Sequence, residues 1–511
     1  MRYLFISFIG FLYQGYIVCQ NINPEQDEIF RMNEVCTIEL TMSAEDKEEL
    51  IYGENPDLRI YFPASIHFTN SLIDTFIDSV GVRNRGNTSI DNLKRPLKID
   101  FREYGGAKFF DHKKFNLKPE HNDPSMVREF LSLYIFRESG VPAARASYAN
   151  VYINDEYMGL YLNVEQIDDE FLEKRMNNDD GNLYKCLIQA DLWDEEMAYN
   201  DIIYELKTNE EINDRIKLVE LIRILSDSEN QNLPDELANY FHVDMFLRYM
   251  AVEALIGHWD SPTMLANNYY LYEDAMTNRT VLIPYDVDNT LGIDWLATDW
   301  SEVSFESWGE GNLKTHALSI AVTEIPEFYN RYYKYVVTIL EHIFNEEKLF
   351  PIIDDAKDLI DEFILEDEYY PLDWEFNYND FDVALDSAYG GWVMYGVKPY
   401  ISKRIQIARD ELNFVEGFET LYPENPYTGQ EPISINEESI KIYPNPCNDY
   451  FYINSTRADF AELYSVDGKL IRSESLYSNQ KVSVSGIVKG LYILKIYSGN
   501  QLIHVDRLVV D

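Results

Sequence analysis

Asp286 and Asp288 close the apolar run TVLIPYDVD, with Gly292 just beyond. Two carboxylates one residue apart at the end of a predicted strand can both face a crevice, where they repel unless a cation lies between them. Magnesium takes one or two carboxylates together with phosphate oxygens, so this pair is the strongest local signal for a metal site. His258-Trp259-Asp260 ends a long apolar stretch and is followed by Asn267 and Asn268. An acid at that spacing from an asparagine can set a base beside a hydroxyl and offer an amide oxygen to a metal. A loop with a capping Asp and turn asparagines reads the same way in sequence. Arg83, Arg85, Lys94, Arg95 and Lys98 place five cations within 16 residues, interleaved with Gly81, Gly86, Thr88 and Ser89. Glycines and small hydroxyls let backbone amides approach an anion, which makes a phosphate cradle; a basic edge strand balanced by an acidic surface is the alternative. Glu165 ends the run YLNVEQID and could pair with a strand lysine, or simply be a solvated strand end. Lys185 and Lys207 are single cations with weaker signals. Asp123 and Arg128 are expected to form a structural ion pair at a helix start. The ordinary nucleotide fingerprints, GxGxxG and GxxxxGK[ST], are missing.

These residues need elements to carry them. Strand alternation is read in 35–68, in 71–85 and in PLKIDF (96–101), where Leu97, Ile99 and Phe101 share a face. Helical spacing is read in 125–139, with Ser125 as N-cap and Gly140 as stop. Residues 147–154 and 158–166 predict a hairpin around Asn154-Asp155. Residues 210–256 are mostly helical and broken at Pro234, 267–274 and 280–286 return to strand, and 324–414 hold three or four amphipathic helices. A β-rich first half and a helix-rich second half favour an α+β enzyme with two lobes over a doubly wound fold.

The chain has 511 residues with 43 Lys+Arg and 89 Asp+Glu, a formal charge of -46. Such acidity argues against nucleic acid and anionic membranes as partners, and 46% hydrophobic residues exclude a disordered chain. Length suggests two to four domains. Residues 440–511 hold 8 Lys+Arg and 7 Asp+Glu, so the acidity belongs to the rest and the last 72 residues read as a separate module.

Residues 1–20 (MRYLFISFIGFLYQGYIVCQ) have a basic start and an apolar stretch, the pattern of a secretory signal peptide cleaved near Gln20. No other run of 18 apolar residues follows, so no membrane span is expected in the mature chain. Cys36, Cys186 and Cys447 have no metal-ligand spacing, and a Cys36–Cys186 bridge is one option. Residues 419–439 carry three prolines and several acids and read as a linker. Seven short strands with turns every 8–12 residues then predict a small β-sandwich over 440–511.

That last segment, with YPNP (443–446), the Asp467-Gly468-Lys469 turn, GLYILKIYS and HVDRLVVD, resembles the C-terminal sorting domain of the type IX secretion system. The resemblance implies passage to the bacterial cell surface or medium through that machinery, with Pro444, Asn445 and Pro446 serving sorting. An adhesive or carbohydrate-contacting sandwich is the alternative. DVDNTL matches the DxDxT loop of haloacid-dehalogenase-like phosphatases, with IIDDA (352–356) standing for the later acidic pair; that motif should open a Rossmann-like βαβ domain. More of the chain, roughly 35–415, resembles the spore-coat CotH kinase family: RGNTS, RPLKIDF, FNLKPEHNDPSMVREFL, VYINDEYMGLYLNVEQID, GNLYK, HWD with NNYYLY, and IPYDVDNTLG occur in that order.

The CotH resemblance implies a two-lobed atypical protein-kinase-like fold over 21–418, using ATP and magnesium. It implies that Arg83, Arg85 and Lys98 hold the phosphates, with Glu165 supporting Lys98, and that Asp260 orients the acceptor hydroxyl. Asn267 or Asn268 and Asp286 would hold Mg²⁺, with Asp288 assisting. The implied reaction is γ-phosphoryl transfer to Ser or Thr of a protein. The competing expectations are an inactive surface scaffold or glycan binder, for which the 14% aromatic content speaks, and a phosphatase with Asp286 as nucleophile.

Overall fold

The computed structural model describes the chain from Asn23 onward, apart from residues 24–26, 55–58, 87–88, 91, 228–231, 310–315, 371–375, 389, 413–440, 444, 446, 455–457, 459, 466–468, 477–480, 499–500 and 511. The expected signal peptide, the linker 419–439, Pro444, Pro446 and the Asp467-Gly468 turn lie outside the described residues. The chain divides into two compact units, 1–427 and 428–511.

The first unit begins with β1 (Val35–Thr41), α1 (Ala44–Tyr52), β2 (Phe62–Thr69), β3 (Asp74–Asn84), β4 (Leu97–Asp100), β5 (Lys114–Lys118), α2 (Arg128–Glu138), β6 (Ala146–Ile153) and β7 (Glu156–Glu165). The strands close into a barrel in the order β1-β2-β3-β4-β5-β7-β6. Closure comes from parallel pairing of β1 with β6, where Ile38 lies beside Val151. Period-two patterning explains the interior: Cys36, Ile38, Leu40, Ile66, Phe68, Leu97, Ile99 and Phe115 form one apolar core. The β6–β7 hairpin turns at Asn154 and Asp155, both with positive φ, as a two-residue primed turn requires. Helix α1 interrupts the 35–68 region that alternation alone reads as strand; Ser43 caps it by accepting from the Asp46 amide at 3.0 Å. Helix α2 starts at Arg128, later than the expected Ser125 cap. The buried Asp123 carboxylate takes the amides of Ser125, Val127 and Arg128 and so sets the start.

Next come α3 (Asp169–Met176), β8 (Leu183–Cys186), β9 (Tyr204–Leu206), α4 (Ile216–Ser226), α5 (Leu233–Tyr240), α6 (Val243–Ile256), α7 (Pro262–Leu265), β10 (Tyr269–Asp274) and β11 (Arg279–Pro284). A four-stranded antiparallel sheet runs β11-β10-β8-β9. Pro234 opens α5 rather than breaking a helix, because proline at the first turn forfeits no intrahelical bond. Every residue of α6 is buried, which makes it the axis of the larger core. The unit ends with α8 (Ala317–Glu324), α9 (Pro326–His342), α10 (Glu346–Glu366), α11 (Tyr378–Val383) and α12 (Val397–Glu411). Strand therefore gives way to helix along the chain, as expected of an α+β unit. Asp354 and Asp355 of the IIDDA segment sit within α10, where Asp354 pairs with Lys398 at 2.5 Å.

The second unit contains β12 (Lys441–Tyr443), β13 (Tyr450–Asn454), β14 (Phe460–Ser465), β15 (Leu470–Ser475), β16 (Lys481–Ser483), β17 (Gly490–Ser498) and β18 (Gln501–Val510). Its two sheets, β12-β13-β16 and β15-β14-β17-β18, share a core of Phe451, Leu463, Leu494, Ile496 and Leu508. All seven expected strands are present.

The bridge considered between Cys36 and Cys186 does not form. Both are free thiols, Cys36 inside the barrel core and Cys186 in the α6-centred core. What ties barrel to helices is a buried ion pair. The Lys94 ammonium donates to Asp367, at the end of α10, and to the Leu160 carbonyl, both at 2.6 Å; the Leu160 amide donates back to Asp367 at 3.0 Å. Gly159 has φ +97 and lies against this carboxylate, which a Cβ would strike at 2.4 Å. Removing one partner of a buried pair strands the other charge, so Asp367→Ala is expected to cost about 3–5 kcal/mol in chemical denaturation; a loss under about 1 kcal/mol would refute the tie.

Candidate functional site

The β3–β4 ladder sets Arg83 opposite Lys98, and β4–β5 sets Lys98 opposite Asn116. Lys98 is half-buried and donates to the Gln166 side chain at 2.7 Å. Burial, and then the charges of Arg85, Arg83, Lys114 and Lys185, push its ammonium well below the usual lysine range. Arg85 and Lys185 reach the Tyr285 hydroxyl from two directions, at 3.4 and 3.1 Å. Among the described residues, none of Arg85, Lys98 and Lys185 is ion-paired to a carboxylate. Arg83 donates to the Asn84 carbonyl at 2.7 Å and lies over the Tyr61 ring.

Glu165 does not support Lys98. It is 3% exposed and ion-paired at 2.6 Å to both Arg145 and Arg175. Burial alone would raise its carboxyl, but these two guanidiniums outweigh burial and hold it far below the carboxylate range. The neighbouring Gln166 reaches Lys98 in its place.

Tyr285 leads directly into Asp286, so the cations adjoin the acids. Asp286 leaves β11 with φ 55 and accepts from Lys118 at 2.7 Å. Burial would raise its carboxyl; Lys118, Arg85 and Lys185 outweigh that and hold it at about 2. Asp288 is driven the other way, well above the carboxylate range, by burial and by the charges of Asp286, Glu129 and Asp260. Lys118 also pairs with Glu129 at the start of α2.

Asp260 follows the α6 C-terminus, where Gly257 adopts the left-handed conformation. The turn around it is held by Glu253, a buried acid that accepts from the Ser261 hydroxyl at 2.6 Å and from Thr263 and Trp308. Asn267 donates to Asp260 Oδ1 at 2.8 Å and accepts from the Ile188 amide at 3.0 Å. Both ends of that side chain are engaged. Asn268, with φ 53, uses its amide on the Asp260 carbonyl at 3.0 Å. Of the two asparagines expected at a metal, Asn268 is therefore the better placed. Burial and the Asp286 charge raise the Asp260 carboxyl.

The structure thus brings Arg85 to Asp286, sets Lys98 beside Arg83 and Arg85, sets Asp260 and Asp288 beside Asp286 with Asn268 on the Asp260 carbonyl, and separates Glu165 from Lys98. Lys118, Glu120, Glu129 and Tyr285 were not singled out from sequence. The signal for Lys118 was its place two residues after Asn116, on the same face of β5. Among the described residues, the acidic group close enough to share an ion is Asp168, Asp169 and Glu170, but Lys113 and Lys108 already pair with it. The expected aspartates do not form such a cluster; one oxygen of Asp286 is engaged by Lys118 instead. The phosphatase alternative loses its topology, since Asp286 follows a strand at the edge of an antiparallel sheet and not the first strand of a βαβ unit.

Residues 82–386 match the family model described as CotH kinase protein, and 441–511 match the secretion system C-terminal sorting domain. The chain is 26% identical over 346 residues to inner spore coat protein H of Bacillus subtilis, covering 66% of this chain and 88% of that protein. It is 26% identical over 253 residues to invasin CotH7 of Rhizopus delemar, covering 46% of this chain and 40% of that one. The solved Helicobacter pylori proinflammatory kinase CtkA aligns with 68% of this chain and 91% of its own, at 11% identity and a TM-score of 0.24, a likeness too slight to argue from.

The pH dependence of stability follows from the opposed carboxyls. Asp286, held below its unfolded value of about 4, stabilises the fold above that pH, and its contribution is lost as pH falls toward 2. Asp260 and Asp288, held high, contribute in the opposite sense and lose their contribution as pH rises through their folded values. Asp286→Asn is expected to flatten the decline between pH 4 and 2 in acid denaturation; a limb as steep as wild type would contradict the Lys118–Asp286 pairing.

Proposed function

The chain belongs to the CotH kinase protein family, and on that premise we propose that its first unit is a two-lobed, ATP- and Mg²⁺-dependent kinase that phosphorylates Ser or Thr of a protein. The observation that carries the proposal is charge. In a chain with 89 acids, Arg85, Lys98 and Lys185 converge with no carboxylate partner among the described residues, beside an acidic set that includes Asp260, Asp286 and Asp288. Cations left bare next to clustered carboxylates fit a polyphosphate on one side and a divalent ion on the other. When bound, Mg·ATP supplies the transferable γ-phosphoryl group and neutralises the charge on its oxygens.

The roles of the chain's own residues follow. Arg85, Lys98 and Lys185 would grip phosphate oxygens, with Gln166 and Tyr285 aiming Lys98 and the other two. Asn268, Asp286 and Asp288 would hold the metal. Asp260 would orient the acceptor hydroxyl and take its proton, a task suited to a carboxyl whose proton affinity is raised. Asn267 fixes Asp260, and Glu253 fixes the turn that presents it. Glu165 keeps Arg145 and Arg175 in place, away from Lys98.

The sorting domain at the C-terminus addresses the chain to the type IX machinery and so to the cell surface or beyond. Entry to that route through a signal peptide at 1–20, and action on an exported acceptor, belong to the same proposal.

Labelled ATP and Mg²⁺ with a generic protein acceptor test the activity. Incorporation on Ser or Thr is expected, falling at least about 100-fold in Asp286→Ala. Mg·ATP at about a hundred times its Kd is expected to stabilise the fold by roughly 2.7 kcal/mol. No stabilisation together with equal, negligible incorporation in both proteins would overturn the proposal. Oligosaccharide binding with that result would favour the scaffold reading.

A further inference from the structure

β8 carries Lys185, one of the cations proposed to grip phosphate, and just beyond its end the chain enters a strained turn. Ile188, Gln189 and Leu192 all have positive φ, at 44, 69 and 60. For a β-branched isoleucine this is a true outlier, and such strain persists only where the surroundings fix it. Here it is fixed by the segment that follows Asp260. The Ile188 amide donates to Asn267 Oδ1 at 3.0 Å, the Ala190 amide to the Ala266 carbonyl at 2.9 Å, and the Tyr269 hydroxyl to the Ala190 carbonyl. Asn267 in turn donates to Asp260 Oδ1 at 2.8 Å. A single side chain therefore links the Ile188 backbone to the carboxylate proposed to orient the acceptor hydroxyl.

Although its backbone is anchored, this segment gives apolar side chains to solvent. Ile188 is 59% exposed. The Leu187 amide bonds the Ile203 carbonyl at 3.2 Å, and the next residue past that bond on the facing chain, Ile202, is 77% exposed. Met197 and Tyr199, also exposed, lie in the short 3₁₀ turn Glu195–Tyr199 between them. Residues 188–202 contain five acids and no Lys or Arg. Asp201 is paired with Arg215, and Arg223, which feels the Glu195 charge, is itself paired with Glu220. Among the described residues, Asp194, Glu195 and Glu196 have no ion pair. Exposed apolar side chains interleaved with unbalanced acids suit a basic, partly apolar partner. We propose that residues 188–202 are the docking surface for the acceptor, a polypeptide with Lys or Arg and an aliphatic residue within a few positions of its Ser or Thr; this rests on the kinase reading. The aliphatic residue gains by leaving water against Ile188 and Ile202, and the basic residues steer the encounter toward Asp194, Glu195 and Glu196. Because Asn267 holds both the turn and Asp260, a docked chain and the carboxylate share one anchor, which keeps the hydroxyl in register with it.

Three synthetic Ser peptides of equal length test the surface with the full chain: one with Arg and Leu near the Ser, one with that Leu replaced by Asn, and one with Arg replaced by Glu. Fluorescence anisotropy reads binding without nucleotide, and labelled Mg·ATP reads transfer. The Arg–Leu peptide is expected to bind at least about tenfold more tightly than either of the others. Ile202→Ser and Ile188→Asn are expected to weaken that binding about tenfold and to raise the peptide KM with little change in kcat; asparagine tolerates the left-handed backbone and keeps the amide bonded to Asn267. Glu195→Gln with Glu196→Gln is expected to weaken binding about threefold, a loss that shrinks in added salt. Far-ultraviolet circular dichroism checks that each variant is folded. Equal binding of the three peptides, tighter binding of the Glu peptide, or binding that all these variants leave intact would overturn the proposal. Phosphate transfer to all three peptides alike would remove the docking surface and leave the kinase reading standing. Selective binding of the Arg–Leu peptide by a chain that transfers no phosphate would sink the kinase reading and leave the docking surface standing.

Discussion

Everything in the first unit is arranged around the contact of Lys118 with Asp286, where a field of bare cations meets a field of crowded carboxylates. Opposite charges at that range collapse onto one another unless the scaffold holds them apart. It does so by giving nearby acids other partners. Glu165, one residue from Gln166, is taken by Arg145 and Arg175. Asp100 faces Lys114 at 3.6 Å, and Asp169 and Glu170 face Lys113. Among the described residues, Arg85, Lys98 and Lys185 keep no carboxylate partner and lie instead against Tyr285 or Gln166. A buried ion pair seldom adds net stability, so the arrangement is better understood as keeping the anion-facing cations free.

The same region is where the backbone departs from relaxed geometry. Glu120, Ala266, Asn268, Asp286 and Leu291 all have positive φ without being glycine. Such residues persist only where their surroundings over-determine them. Around Asp260 the determinants are Glu253, with three donors converging on one oxygen, and the Trp259 indole, which donates to the Ile293 carbonyl at 2.9 Å. Around Asp286 they are Lys118 below and the Ser132–Thr290 hydroxyl pair at 2.9 Å beyond. Both loops rest on α6 or α2, helices buried along nearly their whole length. Rigid support under strained loops keeps donors and acceptors aimed before any ligand arrives.

The second unit follows different rules. Its charges nearly balance, its strands alternate cleanly, and its core is built from its own two sheets. The CotH kinase match falls in the acidic unit and the sorting-domain match in the near-neutral one, so the composition break in the chain coincides with the boundary between the two families.

Local periodicity made the strands of the barrel other than β5, the Asn154-Asp155 hairpin, a run of three or four helices after residue 324 and all seven tail strands legible from residues alone, because each depends on neighbours a few positions away. Motif order likewise named both families. Helix α1, the start of α2 and the role of Pro234 were misread, since a capping carboxylate or a first-turn proline overrides spacing. Partner choice was not legible at all. Whether Glu165 meets Lys98 or two arginines, whether Cys36 meets Cys186, and whether Lys118 reaches Asp286 across 168 residues of chain are decided by which surfaces the barrel and helices press together. Sequence determined which groups were available; three-dimensional packing decided which of them face each other, because electrostatic and hydrogen-bond partners are set by distance in space and not by separation along the chain.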